Sequence, residues 1–208
     1  MTDDDAPVTR PGERFLDLVA VMARLRAECA WTQEQTHATL RRYLLEEAHE
    51  TLEALDDGDS EALRDELGDL LMQVVFHAEV AAGDGEGWDV DDVAEGITAK
   101  LVRRNPHVFG DGTARTPEEI DAAWQAVKAE EQAARGATRT SPLDGIARSL
   151  PALATARKVL DREPGLDTSG DDVGSRLLAL VAEARDAGLD AETELRRALR
   201  ERVDPRQT

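Results

Sequence analysis

The apolar side chains Leu63, Leu67, Leu70, Leu71, Val74, Val75 and Ala78 recur at i, i+3, i+4 and i+7 spacing. That period lines one face of an α-helix and is incompatible with the every-second-residue alternation of a half-buried strand. It predicts a helix over 60–82, and the rest of the chain follows the same rule. Leu18, Val19, Met22 and Leu25 predict a helix over 15–26, and Leu44, Leu45, Ala48, Leu52 and Leu55 one over 39–55. Val93, Ile97 and Leu101 predict another over 90–103. In Thr116-Pro117-Glu118-Glu119, a cap, a proline at the first helical position and a glutamate at the third open a further helix to about 133. Alternating strands are not evident, so the predicted fold class is all-α, a helical bundle.

Local punctuation sharpens the boundaries. Gly58 stands where a helix C-terminal glycine belongs, Ser60 and Asp89 suit helix N-caps, and Asn105-Pro106 ends the helix before it. The segment 28–32 breaks the first helical pattern. Gly68, inside a helix, costs about 1 kcal/mol relative to alanine, which predicts close helix packing there. Residues 1–13, polar with Pro7, Pro11 and Gly12, are expected to form a disordered tail. A first helical domain is expected over 14–133, a linker over 134–145 around Gly136, Ser141 and Pro142, and a smaller helical region over 146–208. Within the latter, Leu177, Leu178, Val181 and Ala184 echo Leu71, Met72, Val75 and Ala78, with Asp172 in the place of Glu66 and Ser175 in that of Asp69.

Charge narrows the partners. In 208 residues, 44 acidic side chains against 25 basic ones leave a formal charge of -19, which repels a phosphodiester backbone. Nucleic acid polymers are therefore not expected partners. Cys29 is the only cysteine, so an intrachain disulfide is impossible and a reducing, cytoplasmic setting is expected. The acidic opening Met1-Thr2-Asp3-Asp4-Asp5 does not read as a signal peptide, and no apolar run approaches the roughly 20 residues of a membrane span.

The acids are not evenly spread. Glu46, Glu47 and Glu50 cover about 100° of arc on the 39–55 helix, and Glu66 and Asp69 are neighbours across one turn of the next. Both sets border an apolar stripe. Antiparallel helices joined by the short turn at 56–59 would pack stripe to stripe and set the two acidic edges across one cleft. Crowded carboxylates repel one another and resist desolvation, so such an arrangement calls for cations. Magnesium fits best, because it takes carboxylate and water oxygens and leaves room for phosphates; Mn²⁺ is a substitute. Zinc would want Cys or His, and His37, His49, His77 and His107 form no cluster in the sequence. A chain this acidic also produces the loose pattern by chance, as in Asp91-Asp92-x-x-Glu95. A noncatalytic acidic helical interaction module is therefore the competing reading.

The residues around the acids add a second line of argument. Glu46-Glu47-Ala48-His49-Glu50 with Glu66-Leu67-Gly68-Asp69 resembles the paired helical signature of the MazG family of nucleotide pyrophosphohydrolases. Trp31, Gln35-Thr36-His37, Tyr43-Leu44-Leu45, Gly68-Asp69-Leu70-Leu71 and the run Arg103-Arg104-Asn105-Pro106-His107-Val108-Phe109 are similar to it too, so the likeness extends over 16–131. Cys29-Ala30-Trp31-Thr32 departs from the Cys-Pro-Trp-Asp often found at that point.

The resemblance implies a MazG-like helical bundle completed by dimerisation, which hydrolyses normal or aberrant nucleoside triphosphates to monophosphate and pyrophosphate with Mg²⁺. A narrower dUTP-type pyrophosphatase is the alternative within the same chemistry. It further implies that Glu46, Glu47, Glu50, Glu66 and Asp69 hold the metal, with Glu46, Glu47 or Glu50 serving instead to orient or deprotonate the attacking water. Lys100 and Arg104, one turn apart with Arg103 beside them, suit a polyphosphate. Trp124 and Lys128 repeat that spacing; related proteins place an aromatic face against the base and an ammonium against phosphate, and Trp124 equally suits a core position. Trp31 and His37 read as structural. By the same resemblance, 146–208 is a degenerate remnant of a second MazG-like domain.

Overall fold

The computed structural model describes residues 12–134, 136 and 140–203, and among these all regular structure is helical. Two compact units divide the chain, Met1–Lys128 and Ala129–Thr208. The predicted all-α class holds. The expected tail lies outside the described residues except for Gly12 and Glu13.

In the first unit α1 (Glu13–Glu28) and α2 (Ala30–Gln33) are separated by a single extended residue, Cys29. The break at 28–32 is therefore a corner and not a loop. Buried Thr32 fixes it by donating its hydroxyl to the Leu25 carbonyl at 2.5 Å and the Cys29 carbonyl at 2.9 Å. Arg26 clamps it further, its guanidinium donating to the carbonyls of Thr32 and Gln35.

The chain then forms a helical hairpin, α3 (His37–Asp57) and α4 (Ser60–Asp84), joined through Gly58 and Asp59. Thr36 and Thr39 exchange side-chain and backbone hydrogen bonds at the start of α3. Gly58 ends it in the left-handed region at φ +69°, as the sequence predicts. The cap of α4 differs from expectation. Asp59, not Ser60, accepts the amide hydrogens of Glu61 and Ala62 at 3.0 and 3.1 Å, because a carboxylate one residue earlier reaches both free N–H groups. Met22, Leu40, Val75, Phe76 and Val80 form the core where α1 lies across the hairpin.

The predicted stripes close the hairpin only in part: Val75 and Ala78 of the α4 stripe are buried and Leu63 and Leu70 half-buried. Leu44, Leu45, Leu52 and Leu55 on α3 and Leu67, Leu71 and Val74 on α4 are exposed, Leu45 at 61%. The inward residues of α3 are instead Leu40, Thr51 and Ala54, with Tyr43 and Glu47 half-buried. Both helices carry more apolar surface than one neighbour covers. The close packing expected at Gly68 is likewise absent within this chain, since a Cβ there would meet nothing within 4 Å.

Helix α5 (Val90–Arg104) packs on α4 and starts with Asp89 and Asp92 in a reciprocal cap, as predicted for Asp89. After it, α6 (Pro106–Phe109) is one turn that the sequence pattern does not reveal. Gly112 crosses so close to Pro106 and His107 that a Cβ would come within 2.5 Å of the His107 amide nitrogen. Helix α7 (Pro117–Ala134) opens with the predicted cap: Glu119 accepts from the amides of Arg115 and Thr116, and Thr116 accepts from that of Glu119. It runs from the first unit into the second.

The second unit packs α8 (Ala152–Arg162), α9 (Val173–Asp186) and α10 (Ala191–Val203) together, with Leu160 and Val181 buried. Guanidinium groups brace it: Arg185 donates to the Leu160 carbonyl at 3.0 Å and Arg157 to that of Leu189 at 2.9 Å. Arg162 binds the carbonyls of Pro142 and Asp144, so residues 140–145 form turns tied to α8.

Candidate metal and active site

The acids on α3 and α4 meet in the middle of the hairpin seam. Glu47, Glu66 and Asp69 each bring one carboxylate oxygen within 4.8 Å of the others. Glu47 and Glu66 are half-buried and Asp69 is exposed, so the group has a floor of protein and a mouth open to solvent. Thr51, buried one turn along from Glu47, donates its hydroxyl to the Glu47 carbonyl at 2.8 Å.

The electrostatics follow from this crowding and from burial. Burial raises the Glu47 carboxyl above its usual range, and the charges of Asp69, Glu50, Glu66 and Glu46 push it the same way. Burial also raises Glu66, with Glu50, Asp69 and Asp65 adding to it. Glu46 and Glu50 are exposed; they act on the trio through charge and supply none of its three converging oxygens. The raised values mean that the folded chain holds protons here more readily than the unfolded chain does. Burial and repulsion together thus weaken the fold above the folded pKa values, and a proton or a cation relieves them. A hard divalent cation matches this all-oxygen set, and three carboxylates leave positions for water and phosphate.

Of the basic and aromatic candidates, the structure brings Arg104 and Trp124 together, the guanidinium carbon lying 5.2 Å from the ring centroid. Lys100 and Lys128 are half-buried and Arg103 is exposed.

Two features escaped the sequence reading. His37 and His77, which form no cluster in the sequence, meet with Nδ1 atoms 2.6 Å apart. Their rings are 6° from parallel with centroids at 4.9 Å, so they meet edge to edge in nearly one plane, as an N–H···N hydrogen bond requires. The Glu86 carboxylate lies 3.2 Å from His37 Nε2 but out of line for a hydrogen bond. Burial, then the charge of His37, lowers the His77 pKa. The signal was the hairpin register: the pairing that sets Glu47 opposite Glu66 sets His37 opposite His77. The second feature is Gln73, 2% exposed, whose Oε1 has no hydrogen-bond partner.

Fold and carboxylates together define an all-α protein with an all-oxygen site of the kind that suits a hard divalent cation. A family profile for the MazG nucleotide pyrophosphohydrolase domain matches residues 35–109, which contain the whole hairpin. A protein of Streptomyces cacaoi without an assigned function is 43% identical over 90% of this chain and 79% of its own length. The Escherichia coli K12 nucleoside triphosphate pyrophosphohydrolase is 43% identical, covering 83% of this chain and 68% of its own length. The Mycolicibacterium smegmatis nucleoside triphosphate pyrophosphohydrolase is 39% identical over 96% of this chain and 60% of its own length, so the chain spans about three fifths of that relative. The chain belongs to the MazG family of nucleotide pyrophosphohydrolases.

Proposed function

We propose that this chain hydrolyses nucleoside triphosphates, normal or aberrant, to nucleoside monophosphate and pyrophosphate, using Mg²⁺ held by Glu47, Glu66 and Asp69. The convergence of three carboxylate oxygens from two helices within 4.8 Å carries the reading. Glu50, close enough to raise both Glu47 and Glu66, completes the acidic rim with Glu46. Bound there, magnesium would offset the charge of the carboxylates and of the triphosphate together. The chain's own residues do the rest. Glu47, half-buried with a raised pKa, is poised to accept a proton from water as general base, and Glu46 or Glu50 at the exposed rim is placed to orient or deprotonate that water in its stead. Lys100, Arg103, Arg104 and Lys128 supply positive charge for the phosphates, and Trp124 an aromatic face for the base, in this reading.

The exposed leucines of α3 and α4 support a homodimer as the working form, since one hairpin leaves them unburied while a second copy could cover them. No described helix is long and apolar enough to cross a membrane, and the single cysteine suits the cytoplasm, where we place the protein. In the same reading, residues 146–208 descend from a second hairpin domain without ligands. Incubating the purified chain with Mg²⁺ and a panel of nucleoside triphosphates tests the activity. Monophosphate and pyrophosphate are the expected products. Release of inorganic phosphate alone overturns the proposed bond cleavage, and turnover confined to dUTP narrows the substrate to one base.

A further inference from the structure

Four side chains among the described residues hold a buried nitrogen or oxygen without a hydrogen-bond partner: His37, Gln73, His77 and His107. The histidines are half-buried, whereas Gln73 is 2% exposed, in a stretch of α4 where Met72 is half-buried and Val75 and Phe76 are buried. A carboxamide oxygen in such surroundings has no partner among the described protein atoms, and native proteins tolerate that where a water, ion or ligand completes the site.

Its place on α4 says which site that is. At about 100° and 1.5 Å per residue, Gln73 falls about 20° from Glu66 around the helix, two turns on. It falls about 40° from Asp69, one turn and roughly 6 Å farther along the axis. Glu66, Asp69 and Gln73 thus occupy one face of α4. The first two already converge with Glu47 from the opposite helix. A hydrated cation held by those carboxylates brings with it water molecules that donate hydrogen bonds, and an acceptor one turn away is the complement they require.

We propose that Gln73 is a positioning residue of the carboxylate site, its unpartnered Oε1 accepting a hydrogen bond from water that enters with the divalent cation. The inference rests on the reading that Glu47, Glu66 and Asp69 hold that cation. It makes the seam between α3 and α4 a ligand shell two layers deep. It also explains why a polar side chain persists in an otherwise apolar stretch of α4.

Calorimetric titration of Mg²⁺ or Mn²⁺ alone into the full chain, without nucleotide, tests the proposal. Gln73→Met keeps the shape and removes the polar atoms. Its affinity is expected to fall by about 10-fold or more, the range typical of groups that orient metal ligands. Its melting temperature without metal should be at least that of the original chain, because the missing oxygen had no partner to lose. Gln73→Glu, which keeps an acceptor, should return the affinity to within a few-fold. Unchanged affinity in Gln73→Met, or a metal-free form that melts well below the original or fails to fold, overturns the role of Gln73. Should the unaltered chain bind no cation, or should Glu47→Gln leave its affinity intact, the carboxylate reading falls first and takes this inference with it.

Discussion

Helices α4 and α9 share an apolar spacing but treat their acids in opposite ways. In α4, Glu66 and Asp69 stand in the second and third turns, deep enough that their backbone amides are satisfied within the helix. Their carboxylates face other carboxylates, and the pKa values of Glu47 and Glu66 rise. In α9 the matching positions, Asp172 and Ser175, lie at the helix start. There Asp172 accepts from the Ser175 hydroxyl at 2.5 Å and from its amide at 3.1 Å, and its pKa falls. Here the lowered value marks a carboxylate whose lone pairs are already occupied, and the raised values mark carboxylates that burial strips of water and whose neighbours repel them. Position along the helix, more than residue type, separates a cap from a candidate ligand.

The largest expected effect breaks or upholds that contrast directly. Glu47→Gln should lower pyrophosphate release by at least about 100-fold with the helical circular dichroism unchanged, whereas Asp172→Asn should leave turnover within about twofold. Equal losses in both variants would mean that the two acids do similar work. Next in size, Leu160→Ala removes a buried side chain of the second unit and should cost about 2–5 kcal/mol in denaturant unfolding, while Mg²⁺ affinity stays the same. A parallel loss of affinity would show that the site depends on the second unit.

Smaller still is the pair of matched glycines. Gly68→Ala meets open space and should stabilise the helix by about 1 kcal/mol, whereas Gly174→Ala places its Cβ 3.1 Å from the capping oxygen of Asp172 and should gain less. Destabilisation by Gly68→Ala would point to a second chain packed against α4, in line with the dimer proposed above. The smallest effect concerns protons. Because burial, and then the charge of His37, holds the His77 pKa below the usual imidazole value, its contribution to stability is present above that usual value and is lost as pH falls through the lowered one. Melting curves from pH 8 to 5 should therefore show a decline that His77→Gln reduces, and identical curves would remove the histidine pair from the account.

What could be read in the sequence was whatever depends on near neighbours. The α4 period, the caps at Asp89 and Thr116, and the Gly58 stop all rest on contacts within a few residues, and each holds in the structure. The acidic signature set Glu46, Glu47, Glu50, Glu66 and Asp69 across one cleft, and the oxygens of Glu47, Glu66 and Asp69 do converge, since one short turn separates their helices. Choosing which apolar face would be buried was beyond that logic. Leu44 and Leu52 look like core in a helical wheel and are exposed here, because burial depends on which face the neighbouring helix covers and not on hydropathy alone. The meeting of His37 with His77 and the isolation of Gln73 are likewise facts of register and packing, visible only once both helices are in place.

The two-residue link through Gly58 and Asp59 also bears on how the molecule is made. Closing so short a connection costs little chain entropy, and contacts between segments adjacent in sequence form sooner than those that join distant ones. The hairpin should therefore be among the first parts to acquire protection from hydrogen exchange during refolding. A chain still leaving the ribosome would then close both arms of its acidic cluster before the later helices had emerged to pack on them.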